Sequence, residues 1–164
     1  MPANAVSSAD LVIPDVWRHI HIRGFIAGYS GAAIARVLVG GTSIDSAGNY
    51  ATEVEEAGAA ANTTSINASG WPLAVSAITG ARFFTCDIYN VAGIVKRCIG
   101  ASNSNSVSAG TVPVVAQFAG IWVNTSNAIQ RLRIAAFDTL TGTTLSASTL
   151  TAGTEFYAWG HNDD

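Results

Sequence analysis

Charge is scarce in this chain of 164 residues: Asp, Glu, Lys and Arg together make up 12%, with a net charge of −3. A globular domain usually carries about 25%. Few charged groups remain to keep an exposed surface in solution, so much of that surface is expected to be covered by neighbours. Cations total only eight, and Lys96 is the single lysine among them. They are scattered, whereas binding to a phosphate backbone needs several cations on one face, which argues against a nucleic-acid partner.

Other absences narrow the reading further. No apolar run reaches the ~20 residues of a membrane-spanning helix, and the first residues lack the basic start and apolar centre of a signal peptide. The expectation is a soluble, unsecreted product with no membrane contact. Cys86 and Cys98 are the only cysteines, and their spacing fits no close pair of metal ligands. Two small buried thiols on neighbouring strands is the favoured account, with a disulfide left open. No segment keeps a helical period for ten residues, and no repeat of a propeller or solenoid is present.

What the chain does contain is alternation. Strand-like runs, some alternating as in 16–27 and 81–90 and others apolar almost throughout as in 112–123, span 16–27, 33–39, 50–55, 71–76, 81–90, 93–99, 112–123, 128–137 and 154–159, separated by Gly, Ser, Thr and Asn. That pattern predicts eight or nine strands in an all-β fold, a jelly roll or β-sandwich. We expect one domain over 1–164, with 1–14 as an N-terminal arm. Residues 58–70 read as a long connection, with room for a short helix, and 100–110 as a flexible tip. Phe83, Thr85, Asp87 and Tyr89 alternate with Phe84, Cys86 and Ile88, which suggests a strand covered on both sides. The expected core comprises Ile20, Ile22, Ile34, Leu38, Phe84, Ile88, Ile121, Leu132, Ile134 and Phe156.

Catalytic patterns are thin. There is no Gly-x-Ser-x-Gly elbow, no Gly-rich loop opening a helix, and no feature that selects a pair among Asp45, Glu53, Glu55 and Glu56. His19 and His21 stand two apart on a strand, so their side chains share a face with Cα atoms ~7 Å apart, a spacing that suits one metal ion. A cupin arrangement would add a carboxylate shortly afterwards and a later histidine, for which His161 is available. No acid follows His21 before Asp45, however, and Arg23 brings a cation to the same face. Neither metal nor cofactor is therefore expected, and the strand reads as an interface. Trp17, His19, His21, Arg23, Arg131 and Arg133 are the candidate contact residues. Trp17, Trp71, Tyr89, Trp122 and Trp159 are weighed as sugar-stacking groups, with packing preferred.

Three short segments carry a resemblance: Ile22-Arg-Gly-Phe-Ile-Ala-Gly-Tyr29, Ala35-Arg-Val-Leu-Val-Gly-Gly41 and Ser46-Ala-Gly-Asn-Tyr50, with Glu155-Phe-Tyr-Ala-Trp-Gly160 near the end. In these the chain resembles small jelly-roll virion proteins of tailed bacteriophages. The resemblance implies a non-enzymatic structural protein made in the host cytoplasm and carried on the virion. Its expected form is a capsid decoration (cement) protein, a homotrimer that binds the major capsid protein on the outer shell and stabilises it. A head or tail fibre domain recognising host glycan is the alternative, and a cupin-like metalloenzyme using His19, His21 and His161 is a third possibility.

Overall fold

The computed structural model describes residues 8–57, 63–104, 113–140 and 145–162. They form eleven strands: β1 (Ser8–Val12), β2 (His19–Ile26), β3 (Ile34–Gly40), β4 (Tyr50–Glu56), β5 (Thr63–Ala68), β6 (Trp71–Pro72), β7 (Arg82–Tyr89), β8 (Lys96–Ser104), β9 (Val114–Trp122), β10 (Arg131–Phe137) and β11 (Glu155–His161). Every pairing is antiparallel. One sheet has four strands in the order β1-β10-β3-β6, and the other has seven in the order β11-β2-β7-β8-β9-β4-β5. The fold is a β-sandwich.

Alternation explains how each sheet builds its inner face. In β2, Ile20, Ile22 and Ile26 are buried, while their neighbours His19, His21, Arg23 and Phe25 face outward. In β7, Phe84, Cys86 and Ile88 do the same. From the four-stranded sheet Ala35, Val37, Val39, Leu132, Ile134 and Ala136 meet them in one core that also holds Trp71 and Trp122. A strand places successive side chains on opposite faces, so each inner row is read directly from every second residue. Glycines make room where aromatic rings cross the inner face. A Cβ on Gly24 would lie 2.3 Å from the Phe84 ring, and one on Gly100 2.2 Å from the Phe118 ring.

Two large polar side chains buried in this core, Tyr50 and Lys96, are paired. The Tyr50 hydroxyl accepts the Val39 N–H at 2.9 Å and shares its one proton between the Val39 and Asp45 carbonyls. Burial pushes its pKa up. Lys96 has no exposed surface; its ammonium reaches the carbonyls of Asn124 at 2.9 Å and Ile94 at 3.1 Å, beside the Trp122 ring. Removal from water lowers its pKa, and the carbonyls replace the hydrogen bonds that water would have given.

Several expectations change. There are eleven strands rather than eight or nine, because β1 and β5 are polar or small-residue segments with no strong alternation. The arm expected over 1–14 includes β1, which pairs along its whole length with β10. The connection expected over 58–70 contains β5, while the expectations of a short helix among its alanines and of a flexible tip in 100–110 fall mainly on 58–62 and 105–110, outside the described residues. The first part of that loop continues β8 to Ser104. Of the expected core only Ile121 is half-buried rather than buried. Cys86 and Cys98 are free, buried thiols on adjacent strands. Burial and the neighbouring Cys86 raise the pKa of Cys98. The outer side of β7 is open: Phe83 and Tyr89 remain 39% and 37% exposed.

Candidate functional site

The outer face of the seven-stranded sheet gathers most of the chemistry. Strand register arranges it in transverse rows. In the first, His161 lies beside His19, His19 beside Tyr89, Tyr89 beside Arg97, and Arg97 beside Ile121. The second runs Trp159, His21, Asp87, Ile99, Ala119 and Glu53. The third joins Tyr157, Arg23, Thr85 and Ala101, and the fourth Glu155, Phe25, Phe83 and Asn103.

The three histidines do come together, although residues 19 and 161 stand at opposite ends of the chain. His161 stacks on His19 with ring centroids 4.9 Å apart and planes 9° from parallel, and on His21 at 5.4 Å and 17°. Trp159 extends the stack over His21 at 5.6 Å. A metal ion must lie in the plane of each imidazole that ligates it. Stacked, nearly parallel rings share no such point, and among the described residues no cluster of His, Cys, Asp or Glu is arranged to hold a metal. The sequence offered no carboxylate close to His21, but the fold supplies one: Asp87 Oδ1 sits 2.6 Å from His21 Nδ1. This bond fixes the ring of His21 in the stack.

Two shallow cavities open on this face. One, about 250 Å³, is lined by His19, His21, Asp87, Tyr89, Arg97 and Ile99. The other, about 510 Å³, lies between Glu53, Thr64, Arg97, Ile99, Ala119 and Ile121. Arg97 and Ile99 border both, so the two form one trough. Its floor is low because Ala51 and Ala119 have small side chains. Around it stand exposed apolar groups: Ile99 is 64% exposed, Tyr157 56% and Trp159 48%. The Arg23 guanidinium lies 6.0 Å from the Phe83 ring centre. Tyr157 donates to Glu155 at 2.8 Å, and this bond raises its pKa.

The remaining candidates lie elsewhere. Trp17 does not join the outer face; it packs against the core and fills the space that Gly160 leaves. Trp71 and Trp122 are buried, donating to Ile121 O at 3.1 Å and Asp45 Oδ2 at 2.8 Å, so neither stacks on a sugar. Arg131 and Arg133 belong to the other sheet. Arg131 donates to Thr42 O at 2.7 Å, and Arg133 holds Asp10 through two bonds of 2.5 and 2.9 Å. That pairing lowers the pKa of Asp10 and raises that of Arg133. Asp45 anchors the loop over a third cavity of about 410 Å³. Both its carboxylate oxygens are taken, by Ala47 N–H and by Asn49 and Trp122.

Sequence reasoning missed Asp87, Arg97, Ile99 and Tyr157 as members of this site. Alternation put Asp87 and Tyr89 on one face of their strand, but which strand lies alongside is a non-local fact.

No family model matches the chain, and no curated protein matches it. Among solved structures it is similar to a Scytalido-glutamic peptidase bound to a peptide-based transition-state analogue, at 14% identity and a TM-score of 0.32. The match covers 94% of this chain and 74% of that one. A likeness of that size carries no argument about activity.

Proposed function

We propose that this chain is a non-enzymatic assembly protein that docks onto a larger particle through the outer face of its seven-stranded sheet. The observation that carries the reading is the breadth of that face: Phe25, Phe83, Tyr89, Ile99, Val115, Tyr157 and Trp159 all stand at least 37% exposed on one side of one sheet. Large exposed apolar patches bordered by polar groups mark interaction surfaces, and aromatic residues and arginine are enriched at interface centres. Low charge over the whole chain supports it. The virion surface is the setting suggested by the phage-protein resemblance, with the chain as a capsid decoration protein and the major capsid protein as partner. Many copies on one shell would add weak contacts into a strong clamp.

The test is to add purified chain to shells that lack it. Wild type is expected to sediment with the shells and restore their resistance to heat. The double variant Ile99→Asp with Trp159→Ala should remain folded and lose binding by at least ~10-fold, since hot-spot truncations cost more than about 1.4 kcal/mol. Equal binding by both proteins would sink the reading.

Recognition of a host glycan is a second reading, favoured by the trough itself. Beside Trp159 and Tyr89 it offers Asp87, Arg97 and Glu53 for hydroxyl groups. A glycan array that retains signal for wild type and loses it for Trp159→Ala would support this reading.

A further inference from the structure

The four margins of the two sheets are not alike. β6 is two residues long and ends in Pro72. β1 has five residues and carries Asp10, held by Arg133. β5 is joined to β4 with a shift in register between Tyr50 and Ala51. Short length, proline, charge and bulges are the devices that keep a sheet edge from pairing with another chain. β11 is neither short nor bulged nor broken by proline, and its one charged residue, Glu155, stands at its first position. Its seven residues pair with β2 in unbroken register, it contains neither proline nor lysine, and its inward residues are Phe156, Ala158 and Gly160. No described strand lies on its other side.

We infer that β11 is the contact through which two copies of this chain join, edge to edge and antiparallel, about a two-fold axis through Ala158. The sequence of the strand is complementary to itself in that register. Glu155 then faces His161 of the second copy, Tyr157 faces Trp159, and Phe156 lies beside Gly160, next to the Trp17 ring that covers that glycine. Each pairing occurs twice. Aromatic pairs directly across an antiparallel ladder are favourable, and the Glu155 carboxylate can accept a hydrogen bond from the His161 imidazole. Moving the axis to Tyr157 would set Glu155 against Trp159. Moving it to Trp159 would set Phe156 against Asn162 and leave Glu155 without a facing residue in the strand.

The contact is isologous and closes at two copies, so it replaces the threefold assembly expected from the resemblance. It also joins two seven-stranded sheets into one, which makes the outer aromatic faces continuous. The inference extends the docking role proposed above without depending on it.

Analytical ultracentrifugation of the full chain is the first measurement, with a dimer expected at tens of micromolar. Tyr157→Lys with Trp159→Lys places lysines opposite one another twice and should give a monomer with an unchanged far-UV spectrum. Charge exchange tests the register. Glu155→Lys and His161→Glu should each weaken the dimer about tenfold, and the two together should restore it. Ala158→Cys should form a disulfide-linked dimer under mild oxidation. A monomeric or trimeric wild type, or a dimer indifferent to the lysine pair, would overturn the inference. Shell binding by a wild-type monomer would leave the docking proposal standing, and a dimer that ignores shells would leave this one standing.

Discussion

The outer faces of the two sheets have opposite fates. On the four-stranded sheet, the chain covers much of the outside with its own loops. Leu38, Ala135 and Phe137 are buried in a second small cluster with Ile44 against them. Bridges from Gly40 to Ile44 and from Phe137 to Leu145 hold the covering segments in place. Arg36 is sealed beneath them, its guanidinium 4.0 Å from the Phe137 ring centre and bonded to the Thr139 carbonyl. Burial lowers its pKa to about 10. On the seven-stranded sheet the outer side carries more aromatic residues, Phe25, Phe83, Tyr89, Tyr157 and Trp159, yet no described loop crosses it. One face is finished within the molecule, and the other stays open among the described residues.

The sharpest way to break that contrast is to truncate one phenylalanine from each face. Phe137→Ala should cost about 3–4 kcal/mol, the usual result of emptying a buried aromatic site. Phe83→Ala should cost less, about 1 kcal/mol, because part of its ring is already in water. Urea unfolding of both variants checks this. Equal losses would mean that the open face is covered in the isolated protein too.

A smaller effect is expected beneath the open face. Gly24→Ala would press a methyl group into the Phe84 ring and the Phe156 Cβ, 2.3 and 2.9 Å away. Overpacking of this kind costs about 1–3 kcal/mol, and Phe84→Leu in the same chain should recover part of the loss. No recovery would show that the glycine serves the backbone rather than the ring.

The smallest effect belongs to the margin of the covered sheet. Arg133 holds the folded Asp10 carboxyl below its ordinary value. A depressed folded pKa gives stability that is present above the unfolded value near 4 and is lost as the pH falls through the folded one. Both side chains keep about a third of their surface in water, so the contribution should stay under about 1 kcal/mol. The stability gap between wild type and Asp10→Asn should therefore close between pH 5 and 2 in thermal melts. A gap that persists at low pH would assign the effect to something other than the ion pair.

Much of the fold was legible in the order of residues. The rows Ile20, Ile22 and Phe84, Cys86, Ile88 declared their inward direction, and so did the outward direction of His19, His21 and Arg23. β1 and β5 were not legible, because Ser8–Val12 and Thr63–Ala68 owe their extended form to neighbours rather than to an apolar stripe of their own. Lys96 gave no sign of burial either. Its site exists only because the carbonyls of Ile94 and Asn124 converge on one point.

The candidate site divides along the same line. That His19 and His21 share a face follows from a period of two along one strand, and sequence alone determined it. His161, Asp87 and Arg97 join them through strand order, which puts β11 on one side of β2 and β7, then β8, on the other, across up to 142 positions of the chain (161 − 19). Alternation is local, set by backbone geometry at each residue. Which alternating face is covered and which stays open depends on where the loops lie after the sheets have formed, and only the tertiary structure decided that.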